Sequence, residues 1–176
     1  LHQMVIERIS RETEHAKAGK PARIIAKMNS LIEPSVIEAL YQASAAGVQI
    51  DLIVRGMCTL RPGVKGLSEN IRVRSIIGRQ LEHSRVYCFH NNGADDTFIS
   101  SADWMGRNFF RRIEVATPIT TPELKARVIH EGIEMALQDN TRAWLMQPDG
   151  SYIRAQLENG EPAFSLQESL WEMYGR

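Results

Sequence analysis

Between Ala22 and Val54 an apolar run, an amphipathic stretch and a second apolar run follow one another with clear punctuation, and few folds accommodate that order. Ala22 to Lys27 has a continuous apolar centre at Ile24, Ile25 and Ala26, which reads as a buried strand. Pro34 then stands where a first helical turn tolerates a residue without an N–H, and Val36, Ile37, Leu40 and Tyr41 make one face of a helix that Gly47 ends. Val48 to Val54 supply the second strand. Strand, helix, strand is a βαβ unit, so the two strands are expected in parallel with a right-handed crossover. An α/β fold follows.

The remaining punctuation extends that unit. Leu1, Val5 and Ile9 fall four apart with Met4 beside them, a helical stripe that runs to Ala18 before Gly19-Lys20-Pro21. Ile71 to Ile77, Arg85 to Phe89 and Thr97 to Ser100 are predicted strands, the last two joined by a hairpin loop from Asn91 to Asp96. Arg112 to Thr117 is expected as a sixth strand with Ile113 and Val115 inward. Thr121-Pro122-Glu123 begins a helix whose Leu124, Val128, Ile129, Ile133 and Leu137 make a buried stripe. Thr141 to Met146 and Tyr152 to Arg154 pair around Pro148-Asp149-Gly150, and Ser165 to Tyr174 form a last short helix. Trp104, Trp144 and Trp171 read as packing residues. The architecture predicted is a mixed sheet flanked by helices. Residues 1–18 read as a connecting helix from a missing upstream domain, 19–155 as a catalytic half-domain and 156–176 as a helical tail, and the lack of an initiator methionine suggests a piece of something longer.

At 176 residues, 43% of them hydrophobic, the chain has the size of one domain plus an appended element. No apolar run approaches the roughly 18 residues of a membrane span, and the start lacks the order of a signal peptide, so the reading is a cytoplasmic protein, at most peripheral to a membrane. Cys58 and Cys88 are too few and too dispersed for a disulfide framework and read as reduced, buried thiols. Net charge is zero but unevenly laid down. From Asp51 to Arg112 ten cations, nine of them arginine, face six anions, whereas after Arg112 five cations face ten anions. The planar guanidinium fork suits phosphate oxygens, so the middle of the chain fits an anion; a solvated strand surface accounts for the same surplus.

Chemistry concentrates at Leu81-Glu82-His83-Ser84-Arg85, just before the apolar run Val86-Tyr87-Cys88-Phe89. An imidazole that opens a strand beside an arginine can attack or protonate a phosphoryl group while the guanidinium holds that group's oxygens. Phe98 to Met105 reads as a second strand ending in small polar residues, where Ser101 and Asp103 can meet His83 across one site. Arg55-Gly56 stands at the carboxyl end of the second βαβ strand, where open α/β sheets bind ligands, although an outward salt bridge is the plain alternative. Asp103 either orients His83 or a phosphate, or caps the turn after it. Other constellations are incomplete. The loop Arg61-Pro62-Gly63-Val64-Lys65-Gly66 lacks the order of a nucleotide P-loop, and His130-Glu131 with Glu134 lacks the second histidine of a zinc hydrolase helix. His2, His15 and His90 have no partners at ligand spacing, and no G-x-S-x-G elbow presents Ser100 or Ser101 as a nucleophile. No metal-ligand set is expected.

Five blocks in one order, Ile53-Val54-Arg55-Gly56, Leu60-Arg61-Pro62-Gly63, Leu67-Ser68-Glu69-Asn70-Ile71-Arg72-Val73, Leu81-Glu82-His83-Ser84-Arg85 and Ser100-Ser101-Ala102-Asp103-Trp104-Met105, resemble the carboxy-terminal domain of the histidine-dependent polyphosphate kinases, whose fold is phospholipase-D-like. The resemblance runs from about Gly19 to Arg154. It implies reversible transfer of the ATP γ-phosphoryl group to polyphosphate through a phosphohistidine in a preceding domain, with Mg2+ accompanying ATP. His83 then matches the second active-site histidine, an acid or base that also lines the ATP phosphate site. Arg55 matches an arginine on the nucleotide phosphates, and Arg112, in Arg111-Arg112-Ile113-Glu114-Val115, one of the phosphate tunnel. Arg85, Ser101 and Asp103 take supporting places. The implied partners are ATP or ADP, polyphosphate, the preceding domains of the same polypeptide and further copies in a homo-oligomer. No membrane span and no specific nucleic acid are implied, and the chain alone is expected to be inactive.

The phospholipase pattern H-x-K-x-x-x-x-D is altered here, with Arg85 at the lysine position and His90 at the aspartate position, and Ser101-Ala102-Asp103 takes the place of its G-S-x-N segment. Phosphodiesterase activity on lipid or nucleic acid is therefore not expected. The second reading is a non-catalytic module that binds polyphosphate or nucleic acid through Arg55, Arg72, Arg74 and Arg85.

Overall fold

The computed structural model describes residues 1–157 and 160–175. The opening stripe forms α1 (His2–Lys17), and the alternation after it becomes β1 (Arg23–Met28), α2 (Pro34–Ala45) and β2 (Gln49–Val54). Glu33 caps α2 by accepting from the Val36 N–H at 2.8 Å. β1 and β2 pair in parallel, from Arg23 opposite Gln49 to Met28 opposite Val54, and β3 (Ile71–Ile76) continues in parallel beside β2. On the other side of β1, β4 (Val86–Phe89) runs antiparallel, followed by β5 (Asp96–Ser100) and, after the short helix α3 (Gly106–Phe110), by β6 (Ala116–Pro118). A helical rod follows, made of α4 (Pro122–Ile129), a π-turn over His130–Glu134 and α5 (Met135–Gln138). The hairpin of β7 (Ala143–Met146) and β8 (Tyr152–Arg154) joins the sheet at β3, and α6 (Leu166–Tyr174) closes the described chain. The sheet has eight strands in the order β6-β5-β4-β1-β2-β3-β7-β8, the mixed α/β architecture expected from sequence.

Side chains alternate across a strand, so each apolar run serves two layers. Ile24, Ala26 and Met28, with Ile50, Leu52 and Val54, pack against Val5, Ile9, Val36 and Leu40 from α1 and α2. On the opposite face Ile25 packs with Val86, Cys88 and Ile133, while Ile53 and Ile76 meet Met135 and Leu166. Gly132 lets the rod approach β4, since a Cβ there would lie 3.2 Å from Val86 Cγ2. The fully buried Glu12 ties α1 to the sheet by accepting from Asn91 N at 2.8 Å and Arg23 N at 3.3 Å. Cys88 is buried and Cys58 partly so, and both are unpaired; burial pushes the Cys58 thiol up to about 11.

Two arginines of the polyanion-binding reading make structural contacts on β3. Asp51 receives Arg72 Nε at 2.7 Å from the adjacent strand and Arg23 at 2.9 Å, while Arg74 donates to the Leu137 carbonyl. Burial opposes ionisation of Asp51, but its hydrogen bonds from Arg72 and Arg23 outweigh it and hold the carboxyl below the usual aspartate range. A lowered native pKa means the stabilisation is complete above the unfolded value, near pH 4, and is lost as pH falls through the native one. Unfolding midpoints followed through that acid range should therefore drop, and Asp51→Asn should flatten the drop while lowering the midpoint at neutral pH. An unchanged acid limb in the variant would assign the drop to other carboxylates.

Three expectations need correction. The sixth strand begins at Ala116, not Arg112, and Ile113 and Val115 face solvent at 101% and 60% exposure. The cause is Glu114, whose carboxylate accepts from the Ser101 hydroxyl and from Asn108 Nδ2, so the chain before Val115 follows those partners, and Val115 keeps one backbone bond to the end of β5, accepting from Ser101 N at 3.0 Å. Leu124 is exposed because the helical stripe meets the sheet only further along, where Gly132 permits it. Of the tryptophans, Trp104 is buried, Trp144 is at the border of exposure and Trp171 is exposed on α6, outside the sheet's apolar layers.

Candidate functional site

Strand direction gathers the site. The carboxyl ends of β1, β2 and β3 share one edge, and antiparallel pairing brings the start of β4, the end of β5 and the start of β6 there too: Lys27 lies opposite Val86, Val86 opposite Ile99 and Ser100 opposite Ala116. Arg55, His83, Arg85, Ser101, Asp103 and Arg112 all belong to segments that leave or enter the sheet at this edge. The strand order also turns at β1, which has β2 on one side and the returning β4 on the other. Ligand crevices in open α/β sheets lie outside the carboxyl ends of strands at such a reversal.

Three of the named residues form one hydrogen-bonded chain. Asp103, nearly buried after β5, receives Arg85 Nε on Oδ1 at 3.1 Å and Arg85 NH2 on Oδ2 at 3.2 Å. This is the bidentate fork, and it fixes the guanidinium plane. The remaining nitrogen, NH1, reaches His83 Nδ1 at 3.3 Å and donates to the His83 carbonyl at 3.1 Å. Since Arg85 has no lone pair to offer, Nδ1 is the unprotonated nitrogen in this arrangement and the proton of a neutral ring sits on Nε2. His83 itself is exposed. An oriented imidazole whose Nε2 has no partner among the described residues, with a largely shielded cation behind it, can give or take a proton at a phosphoryl oxygen.

Asp103 therefore orients Arg85, and through it His83; its side chain does not cap the following turn. Its Oδ1 also accepts from Asn29 N at 2.7 Å. Asn29, missed by the sequence reading, follows β1 and touches the other half of the edge, because its carbonyl accepts from Gly56 N at 2.7 Å beside Arg55. Gly56 is needed for that approach, since a Cβ there would lie 2.9 Å from Asn29 O. Asn29 is 6% exposed and both atoms of its side-chain amide lack a hydrogen-bond partner among the described residues. A polar residue directly after an apolar strand was the available signal.

Arg55 is half-buried, and its guanidinium has no partner among the described residues, so it is available to an anion. Arg112 is exposed and likewise unpartnered, on the segment that Glu114 holds. Neither Arg112 nor Ser101 is joined to His83 by a hydrogen bond: Ser101 donates to Glu114 and accepts from Val115 N at 3.0 Å, which shapes the Arg112 loop instead. A second missed group is Lys27, a buried cation of β1 at 5% side-chain exposure, paired with Glu82 at 2.7 Å. A lysine inside an apolar run signals a buried partner, but nothing local says which carboxylate supplies it.

Residues 1–167 match the family described as polyphosphate kinase C-terminal domain 2. The chain is 83% identical over 175 residues to a polyphosphate kinase of Neisseria meningitidis serogroup C, a match that covers 99% of this chain and 26% of that protein. It therefore spans about a quarter of the length of such relatives. The crystal structure of a polyphosphate kinase from Porphyromonas gingivalis superposes with a TM-score of 0.94 at 40% identity, over 99% of this chain and 26% of that one. A phospholipase D family member, Nuc from Salmonella typhimurium, superposes with a TM-score of 0.57 at 14% identity, over 83% of this chain and 90% of that one, and so shares the fold. On the family match over residues 1–167 and these superpositions, the chain belongs to the polyphosphate kinase C-terminal domain family and carries a phospholipase-D-like fold.

Proposed function

We propose that this chain supplies the second histidine and the phosphate-binding arginines of an ATP:polyphosphate phosphotransferase, in which the γ-phosphoryl group passes reversibly from ATP to polyphosphate by way of a phosphohistidine on a preceding domain. The observation that carries the reading is the Asp103–Arg85–His83 chain at the sheet reversal, with the unpartnered Arg55 across the same edge. Phosphoryl transfer asks mainly for positioning and for cancellation of spread negative charge, with a proton donor or acceptor at the leaving or entering oxygen. Arg55 and Arg112 answer the first need and His83 the second. Among the described residues no three His, Cys, Asp or Glu side chains are grouped as ligands, and Asp103 spends its oxygens on Arg85 and Asn29. In this reading Mg2+ accompanies the nucleotide.

The nucleic-acid or polyanion module is the weaker account, because Arg72, Arg74 and Arg85 of its four cations are committed to Asp51, to carbonyls of the helical rod and to Asp103. No helix among the described residues is long and apolar enough to cross a membrane.

Division of labour between domains makes the proposal testable on the chain itself. Incubated with γ-labelled ATP and magnesium, the isolated chain should acquire no label, and its binding of polyphosphate should be weak and fade with added salt as the few unpartnered arginines are screened. Label on the chain would overturn the placement of the phosphohistidine on another domain.

A further inference from the structure

Gln80, Glu82 and the carboxy-terminal helix have no part in the chemistry above, yet they converge just before His83. Gln167, in the first turn of α6, accepts from Gln80 N on Oε1 at 2.8 Å and donates from Nε2 to Gln80 O at 2.8 Å and to Glu82 Oε1 at 2.8 Å. One amide thus satisfies the backbone N–H and C=O of the same residue, as a neighbouring strand would. The other Glu82 oxygen takes the buried Lys27 of β1 at 2.7 Å. Gly78 leaves room for the contact, since a Cβ on it would run into the Gln167 amide.

The segment is otherwise held by side chains and at its two ends: Lys27 grips Glu82, Arg85 NH1 grips His83, the Ile77 N–H donates to Arg142 O and the Arg85 carbonyl accepts from Ser100 N, so for Gln80 the contact is the one with Gln167. Residues 77–85 form no helix or strand, Leu81 is 70% exposed and His83 points its surface to solvent. By contrast α6 is well anchored, with Leu166 fully buried against Ile53 and Ile76 and its N–H given to Asp139 Oδ2 at 2.9 Å. We infer that Gln167 is a positioning residue: through it the carboxy-terminal helix latches the Gln80–Glu82 segment and sets where the His83 imidazole stands. The inference rests on the proposed role of His83 and adds a residue that touches neither substrate nor imidazole. A misplacement of about an ångström at a reacting group is enough to cost on the order of a hundredfold, so a partial loss of the latch should be visible.

The test uses a full-length polyphosphate kinase whose C-terminal region is this chain. Gln167→Ala should lower kcat about tenfold and leave KM for ATP within about twofold, since the phosphate-binding arginines are untouched. In a His83→Ala background the same substitution should have no further effect, because no imidazole remains to be placed. Gly78→Ala, which crowds the amide, should reproduce the single variant and add nothing to it. Near-normal kcat in Gln167→Ala beside a severe loss in His83→Ala overturns the latch, as does an equal loss in both backgrounds, which marks a merely structural role. Near-normal turnover in His83→Ala would instead reject the role of His83, and tryptic cleavage after Arg79 then judges the latch alone: faster cleavage in Gln167→Ala supports it, unchanged cleavage refutes it.

Discussion

In a full-length polyphosphate kinase carrying this chain, His83→Ala is expected to reduce ATP-dependent polyphosphate synthesis by roughly a hundredfold to ten-thousandfold, the range that a positioned general acid or base contributes. The side chain is exposed, and the hydrogen bond of its ring among the described residues is to Arg85. Truncation therefore opens no cavity and buries no new polar group, and the unfolding midpoint should stay where it is. The loss should fall on kcat, with KM for ATP little changed, because an acid or base acts on charge that develops during transfer. His83→Gln offers hydrogen bonds but cannot move a proton at neutral pH, so it should remain nearly as slow as alanine. Activity within a few-fold of the parent for either variant would remove His83 from the chemistry. Recovery by glutamine alone would make it a hydrogen-bonding residue only.

A different kind of loss is expected from Asp103→Ala. The pair it makes with Arg85 is well shielded, with side-chain exposures of 6% and 13%, and the same carboxylate holds the Asn29 N–H. Removing one partner of a buried ion pair strands the other, which typically costs about 3–5 kcal/mol, because the cation keeps its desolvation penalty and loses its compensation. Chemical denaturation should report a loss of that order, and activity should fall with it as Arg85 releases His83. Asp103→Asn keeps an acceptor for Asn29 and should lose less. Arg85→Met in the Asp103→Ala background should restore part of the stability, since no cation is then left unpaired, but none of the activity. A loss below about 1 kcal/mol for Asp103→Ala would place the pair among solvent-screened surface bridges.

Much of the candidate site was legible before the fold. His83, Arg85 and Asp103 stand in blocks whose order is characteristic, and the positions of β4 and β5 follow from short apolar runs bounded by loops. Arg55 was legible for a topological reason, since any residue that follows the second strand of a βαβ unit arrives at the carboxyl edge, where open α/β sheets bind ligands. What failed was pairing at a distance. Val115 and Ile113 carry the alternation of an inward-facing strand, yet Glu114 finds Ser101 and Asn108 and takes the segment off the sheet. Arg72 and Asp51 lie 21 residues apart and meet because their strands are adjacent in register, which turned a cation of the polyanion-binding reading into a structural ion pair.

The residue sequence alone determined the layers, the βαβ start, the continuous apolar runs and the family, because those depend on patterns that repeat every two or every three to four residues and on blocks read in order. Only the tertiary structure decided that Asp103 grips Arg85, that Asn29 joins the two halves of the edge and that Gln167 reaches Gln80 across 87 residues of chain. The physical reason is range: backbone periodicity is set by near neighbours, whereas the partner of a buried charge or amide is whichever group the completed chain path brings within about 3 Å, the reach of a hydrogen bond.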